Sequence, residues 1–106
     1  MSEQKLESLA KFELTAENRL QVSGELSFKN VPELVLMSQK YFKNSDGLDV
    51  DLADVNRADS AGVALLIEWQ RLAQKKEKSI SFFNVPSQMM AIARLCGVDE
   101  LLFLKN

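Results

Sequence analysis

Apolar and polar residues alternate in several stretches of the chain, which is the pattern of strands that bury one face. Residues 12–15 and 20–23 alternate, and residues 16–19 between them predict a hairpin turn. Residues 48–52 alternate strictly, with aspartates on the polar face. Ile80, Phe82 and Phe83 predict a fourth strand. Residues 101–104 predict a short last strand or a packed tail. This one-sided burial predicts an α/β fold, a mixed sheet with helices packed on one face.

Helical spacing predicts a first helix that follows the second strand. It begins at Ser27 or Asn30, after residues 24–27 leave the strand, and carries Pro32 in its first turn. The turn residues 44–47 end it. Its inward face comprises Val31, Leu34, Val35, Met37, Ser38 and Phe42.

A last helix is predicted from residues 86–87 through Leu95, with Gly97 placed to terminate it. Its inward face comprises Met89, Ile92, Ala93 and Cys96. We interpret Cys96 as a small buried hydrophobic residue, because the chain contains no histidine that would activate it as a nucleophile.

The segment 57–69 runs from a polar turn into an apolar helix, and the rest of the chain is organised around it. Asp59 or Ser60 can cap this central helix, because a short side-chain oxygen accepts hydrogen bonds from N–H groups of the first turn. Gly62 has a poor helix propensity, so we expect another part of the chain or a partner to approach it closely.

The apolar residues of the central helix fall on two sides when plotted at about 100° per residue. One broad side faces the sheet and comprises Ala61, Gly62, Leu65, Leu66, Trp69, Leu72 and Ala73. The opposite side carries Val63, Ala64 and Ile67 among the polar residues Ser60, Glu68, Arg71 and Gln74. An apolar strip with a polar rim predicts a surface that contacts a partner protein. The alternative is that another helix of the same domain covers it.

Composition narrows the class of protein. The 106 residues suffice for one domain, and the net charge of −2 with dispersed basic residues argues against a nucleic-acid partner. A single cysteine excludes an intramolecular disulfide and is typical of a reducing compartment. Residues 1–11 lack the apolar core of a signal peptide, and the longest apolar run, 61–67, is too short to span a bilayer. We therefore expect a soluble cytoplasmic protein that reaches a membrane only through a partner.

The residues that carry chemistry in enzymes are largely missing. Without histidine, a Ser/His/Asp or Cys/His mechanism and the usual zinc sites are excluded, and no glycine-rich phosphate loop follows a strand. Asp49 and Asp51 share a strand face, which a solvated sheet surface explains better than a cation site. Asp54 is expected to flank a loop, and Arg57 either guides an acidic group of a partner or pairs with a loop carboxylate. We expect no catalytic residue, metal or cofactor.

Two motifs resemble those of a known family. Residues 52–55 (Leu-Ala-Asp-Val) and 58–66 (Ala-Asp-Ser-Ala-Gly-Val-Ala-Leu-Leu) are similar to the STAS domain of sulfate transporters and anti-sigma-factor antagonists. The order of elements matches that family from Phe12 to Leu104. The resemblance implies a single STAS domain, with a core of about residues 12–104, in which the Asp-Ser-x-Gly segment starts the key helix.

Within that family, residues 22–26, 57–66 and 72–76 most resemble the small cytoplasmic STAS subunit of the maintenance-of-lipid-asymmetry (Mla) phospholipid ABC transporter. The resemblance implies a non-enzymatic accessory subunit that binds the ATPase subunit, and the permease indirectly. Binding to the ATPase subunit would hold the protein at the inner membrane as a peripheral protein. Threonine is associated with that subunit at the position of Ser60. The partner-binding residues are predicted to be Arg57, Asp59, Ser60, Ala61, Gly62, Val63, Ala64, Ile67 and Arg71.

The alternative within the family is an anti-sigma-factor antagonist, whose partner would be an anti-sigma-factor kinase. The resemblance then makes Ser60 the candidate phosphoacceptor. Its phosphate would add about two negative charges to an interface. Ala61 stands where many relatives have a second serine. The apolar strip suits a lasting subunit contact better than a charge-controlled exchange.

The missing catalytic groups lead to a first testable expectation. The purified chain alone is expected to hydrolyse neither ATP nor lipid esters, which release of phosphate or fatty acid would measure. Turnover that persists through repeated purification, and that disappears when one residue of this chain is replaced, would contradict the non-enzymatic interpretation.

Overall fold

Strands and helices alternate along the chain in a computed structural model that describes residues 10–17, 19–43 and 47–105. The elements, in chain order, are β1 Ala10–Leu14, β2 Arg19–Leu26, α1 Val31–Lys43, β3 Gly47–Ala58, α2 Ser60–Lys75, β4 Ser79–Phe83, α3 Ser87–Leu95, a 3₁₀ turn Asp99–Leu101 and β5 Leu104–Lys105. The predicted central helix is therefore α2.

The strands lie side by side in the order β1-β2-β3-β4-β5. The first two form an antiparallel hairpin in which Leu14 pairs with Leu20, whereas β2, β3, β4 and β5 run parallel to one another. This confirms the predicted hairpin and mixed sheet, although Asn18 of the predicted turn lies outside the described residues.

Helices cover one face of the sheet, as predicted. The strand residues on that face are buried, namely Leu20, Val22, Leu48, Val50, Leu52, Ile80 and Phe82. Two buried side chains tie the helices and the C-terminal segment together. The indole N–H of Trp69 donates to Ser38 Oγ at 2.7 Å, and Gln70 exchanges hydrogen bonds with the backbone of Leu101 and Phe103. Gln70 was not predicted to be buried.

The face without helices carries a polar cluster around Asp51. Its carboxylate accepts hydrogen bonds from the Ala53 N–H at 3.0 Å, from Asn84 at 3.1 Å and from Arg19 at 3.5 Å. Burial raises the pKa of Asp51, but these hydrogen bonds outweigh it and hold that pKa below its ordinary value. The Asp51 carboxylate therefore makes its hydrogen bonds with groups of the same chain. In the described ranges, no three acidic or cysteine side chains are grouped to hold a metal ion.

Two strands run further than predicted. Strand β2 continues through residues 24–26 and β3 continues to Ala58, so the prediction that residues 24–27 leave the strand was wrong for most of them. Asp54 is likewise an exposed strand residue, not a loop residue. The reason is irregular pairing, because the register shifts at two places in β2 and Gly24 adopts a φ of 94°. A β-bulge breaks the alternation by which a strand is predicted.

The predicted inward faces of α1 and α3 each contain one error. In α1, Met37 is 51% exposed, whereas Tyr41 is half-buried and packs edge-on against Phe12. In α3, Cys96 is the exposed C-cap residue and not a core residue. Gly97 follows it with a φ of 74°, as predicted for a helix terminus. Residues 44–46 of the predicted turn lie outside the described residues, and Gly47 begins β3.

The replacement Gly62→Ala is expected to destabilise the fold by about 1–3 kcal/mol, although alanine favours helix formation by about 1 kcal/mol. An added Cβ would lie 2.9 Å from the Leu26 carbonyl oxygen and 3.3 Å from the Ala58 Cβ, so the helix would have to move away from the strands. Urea denaturation measures the change.

The matched control is Ala64→Gly, at an exposed position of the same helix, which isolates the propensity term. A Gly62→Ala variant that gains stability would contradict the close approach.

Candidate functional site

The ends of two parallel strands meet the start of α2 at one edge of the sheet. Leu26, the last residue of β2, pairs with Ala58, the last residue of β3. The Asp59 N–H then donates to the Leu26 carbonyl oxygen at 3.2 Å, and α2 begins at Ser60. This geometry brings the turn that follows β2 beside the first turn of α2.

Asp59 is the N-cap of α2, which decides between the two predicted candidates. Its Oδ1 accepts a hydrogen bond from the Ala61 N–H at 2.8 Å, which is a standard capping interaction. Its Oδ2 accepts a second hydrogen bond from the Phe28 N–H at 3.3 Å. One carboxylate therefore holds both the helix terminus and the neighbouring turn.

The outward side of α2 carries a narrow stripe. Its residues, Ser60, Ala64, Ile67 and Arg71, are spaced by three or four positions and so lie above one another; we call them the α2 stripe. Ser60 and Ala64 are exposed, Ile67 is half-buried against the core, and Arg71 is exposed. Arg57 is exposed at the end of β3, and Ala61 is half-buried beside the stripe.

Two residues of the predicted partner-binding set are inside the domain. Gly62 is buried against Leu26 and Ala58, and Val63 is only 3% exposed and belongs to the core. The prediction that Val63 faces outward was wrong, because Val63 is buried in the hydrophobic core of the domain. The exposed surface is therefore narrower than predicted.

Arg71 forms an ion pair within the helix. Its guanidinium donates two hydrogen bonds to the Glu68 carboxylate, at 3.0 and 2.6 Å. The hydrogen bond from Arg71 lowers the pKa of Glu68, against a smaller opposing effect of burial. The positive charge of Arg71 at one end of the stripe is therefore balanced by Glu68, whereas the Ser60 end of the stripe carries no charge.

A cleft of about 290 Å³ lies beside the cap. It is lined by Glu25, Ser27, Phe28, Lys29, Arg57, Ala58, Asp59 and Gln88. Sequence analysis missed Phe28, which is 71% exposed, as well as Lys29 and Gln88. The available signal was a phenylalanine within a polar turn, between Ser27 and Asn30, outside any amphipathic repeat.

Over the described ranges, no helix is both long and apolar enough to cross a membrane.

Comparison with known proteins identifies the family. The family model described as "Mlab, STAS domain" matches residues 11–104. The chain belongs to the STAS domain family. No curated protein matches this STAS chain in sequence.

Solved structures share the STAS fold at low sequence identity. SpoIIAA from Bacillus, an anti-sigma factor antagonist solved in its unphosphorylated form, is 13% identical, with a TM-score of 0.68 over 92% of this chain and 88% of SpoIIAA. Its phosphorylated form is 14% identical, with a TM-score of 0.65 over 92% and 91%. An anti-sigma factor antagonist from Mycobacterium paratuberculosis is 20% identical, with a TM-score of 0.69 over 90% and 82%. The predicted α/β STAS fold is thereby confirmed.

The replacement Asp59→Ala is expected to cost about 0.5–2 kcal/mol of folding stability, because it removes the cap. Ser60→Ala is expected to change stability by less than about 0.5 kcal/mol, because Ser60 is exposed and the cap is Asp59. Urea denaturation of both variants compares them directly. A larger loss in Ser60→Ala than in Asp59→Ala would contradict this assignment.

Proposed function

We propose that this STAS domain is a non-enzymatic subunit that binds the ATPase subunit of an ABC transporter and supports phospholipid movement between membranes. The family description "Mlab" and the sequence resemblance to the Mla subunit support this function. The protein would be cytoplasmic and would reach the inner membrane, and the permease indirectly, through the ATPase subunit. It would need no cofactor of its own.

The exposed Ser60 end of the α2 stripe is the observation that carries the proposal. Ser60 and Ala64 have short side chains, so the backbone of a partner can approach α2 closely there. The stripe carries no charge before Arg71, and that charge is paired with Glu68. A small, mostly uncharged surface suits a lasting subunit contact, because few charged groups lose water when it is covered.

An anti-sigma-factor antagonist is the second candidate function. It is favoured by the exposure of Ser60 and by the likeness to antagonist structures, one of which was solved in a phosphorylated form. A phosphate on Ser60 would gain from the positive end of the α2 dipole but would lie next to the Asp59 carboxylate. The partner in this case would be an anti-sigma-factor kinase.

The two functions differ in the protein that binds. Affinity purification of the tagged chain from its native cells, followed by mass spectrometry, tests both. Recovery of an ABC ATPase with its permease supports the transport function. Recovery of an anti-sigma-factor kinase, with phosphate on Ser60, would replace it by the second function.

The replacement Ala64→Asp is expected to leave the domain folded, because Ala64 is exposed, but to abolish recovery of the ATPase subunit. In the complex the new carboxylate would be buried without a partner, which typically costs several kcal/mol of binding. Calorimetric melting and co-purification are the two measurements. Ala64 is a cleaner probe than Ile67, since Ile67 also packs against the core.

Two controls accompany this variant. Ala91→Asp places the same charge at an exposed position of α3 and should keep the ATPase subunit. Leu66→Asp should unfold the domain, since Leu66 is fully buried. Full binding by a folded Ala64→Asp variant would mean that the partner uses another surface.

A further inference from the structure

Phe28 combines high exposure with a fixed backbone. Its side chain is 71% exposed, yet it belongs to a turn whose flanking residues, Ser27 and Asn30, are both buried. The Ser27 N–H donates to Asn30 Oδ1 at 2.9 Å, and the Asn30 amide donates to the Glu25 carbonyl oxygen at 2.6 Å. The turn thus presents a large apolar ring to solvent on an ordered support.

The same turn is tied to the start of α2 by Asp59. Its Oδ2 accepts the Phe28 N–H, while its Oδ1 caps the helix at Ala61. The exposed ring and the Ser60 end of the α2 stripe are therefore held together by one carboxylate. Asp59 thus adjoins both of them.

The acidic and basic groups around Phe28 differ in their contacts within the chain. The Glu25 carboxylate accepts the Ser27 hydroxyl at 2.8 Å, and both oxygens of Asp59 are used. Lys29 and Arg57 are exposed on the cleft beside Phe28, and no ion pair holds either of them within the described ranges. Lys29 and Arg57 are therefore the charged groups of this cleft that remain free to pair with a carboxylate of a partner.

We propose that Phe28 is the aromatic anchor of the partner interface and that it enters an apolar pocket bordered by carboxylates on the partner protein. Asp59 acts as a positioning residue that holds the anchor beside the α2 stripe. This inference rests on the proposed function, because the partner it describes is the one that covers that stripe.

Physical chemistry favours an anchor of this kind. A buried phenylalanine removes a large apolar area from water, and the energetic centres of interfaces are enriched in such well-packed groups. A turn whose backbone is already held by hydrogen bonds has less conformational entropy to lose on binding. The carboxylates expected around the pocket complement Lys29 and Arg57 and favour one orientation.

Binding of the purified chain to the purified ABC ATPase subunit recovered with it from native cells tests the anchor, with titration calorimetry as the readout. Phe28→Ala should weaken binding about tenfold or more, the loss expected for a central aromatic residue. Its melting temperature should stay near that of the wild type because the ring is exposed. Phe103→Ala is the matched control, since Phe103 contacts Gln70, about 15 Å along α2 from Ser60, and should bind normally.

The positioning role of Asp59 requires a variant that keeps the helix cap. Asp59→Asn does so, because asparagine caps helices as well as aspartate, but its amide group cannot accept the Phe28 N–H while its oxygen caps Ala61. Binding should fall with little change in melting temperature. The double variant with Phe28→Ala should bind no more weakly than Phe28→Ala alone, and additive losses would overturn the positioning role.

The outcomes separate this inference from the proposed function. Wild-type binding with an unchanged Phe28→Ala variant would overturn the anchor and leave the ATPase partner intact. If the wild type binds an anti-sigma-factor kinase instead, and Phe28→Ala loses that binding, the anchor stands and the transport function is wrong. If the wild type binds neither protein, both are overturned.

Lys29→Glu should also weaken binding, with Lys105→Glu as its control. Equal binding by these two variants would overturn the carboxylates proposed to border the partner's pocket.

Discussion

The packing of the first turn of α2 on the ends of β2 and β3 is the constraint on which the rest of the structure depends. Gly62 has no side chain, so the helix comes within contact of Leu26 and Ala58. That approach leaves the N–H of Asp59 on the Leu26 carbonyl oxygen and the Asp59 side chain between helix and turn. A bulkier residue at position 62 would lift the helix and separate these groups. The geometry of the surface therefore follows from a buried steric requirement.

Towards its other end the same helix is fixed by polar contacts in addition to apolar packing of Trp69 and Ala73 in the core. Trp69 reaches Ser38 of α1, and Gln70 reaches the backbone that leads into β5. Buried polar groups are costly unless paired, so these contacts select one arrangement of the helix over rotated alternatives. Contacts at both ends of α2 thus set the position of its exposed stripe on the domain.

Sequence patterns predicted the parts of the fold that depend on regular spacing. The hairpin, the buried strand faces and the inward face of α2 follow from periods of 2 and 3.6 residues. The errors lie where a neighbour outside the pattern decides burial. Val63 is buried in the core, Met37 is exposed, and β2 continues past the register shift that follows Gly24. Of the site, a cap at Asp59 or Ser60 and the exposure of Ser60 could be predicted from capping chemistry and helix periodicity, whereas the choice of Asp59 required the structure. Phe28 was visible only as an apolar residue in a polar turn, and its place beside Asp59 could not be predicted. Its turn meets Asp59 only through tertiary contacts 31 residues apart in sequence.

At the start of α2, Asp59 contributes to folding stability as the cap, and the Ser60 hydroxyl is left exposed to solvent. Because Asp59 accepts the Ala61 N–H, the hydroxyl of Ser60 is not required to cap the helix. It remains exposed at the positive end of α2, where a hydrogen-bond acceptor of a partner or a phosphate would interact favourably with the helix dipole. If Ser60 were the cap, its replacement would remove the cap and any contact of its hydroxyl with a partner at the same time. Because Asp59 is the cap, replacement of the Ser60 hydroxyl can alter binding with little effect on stability.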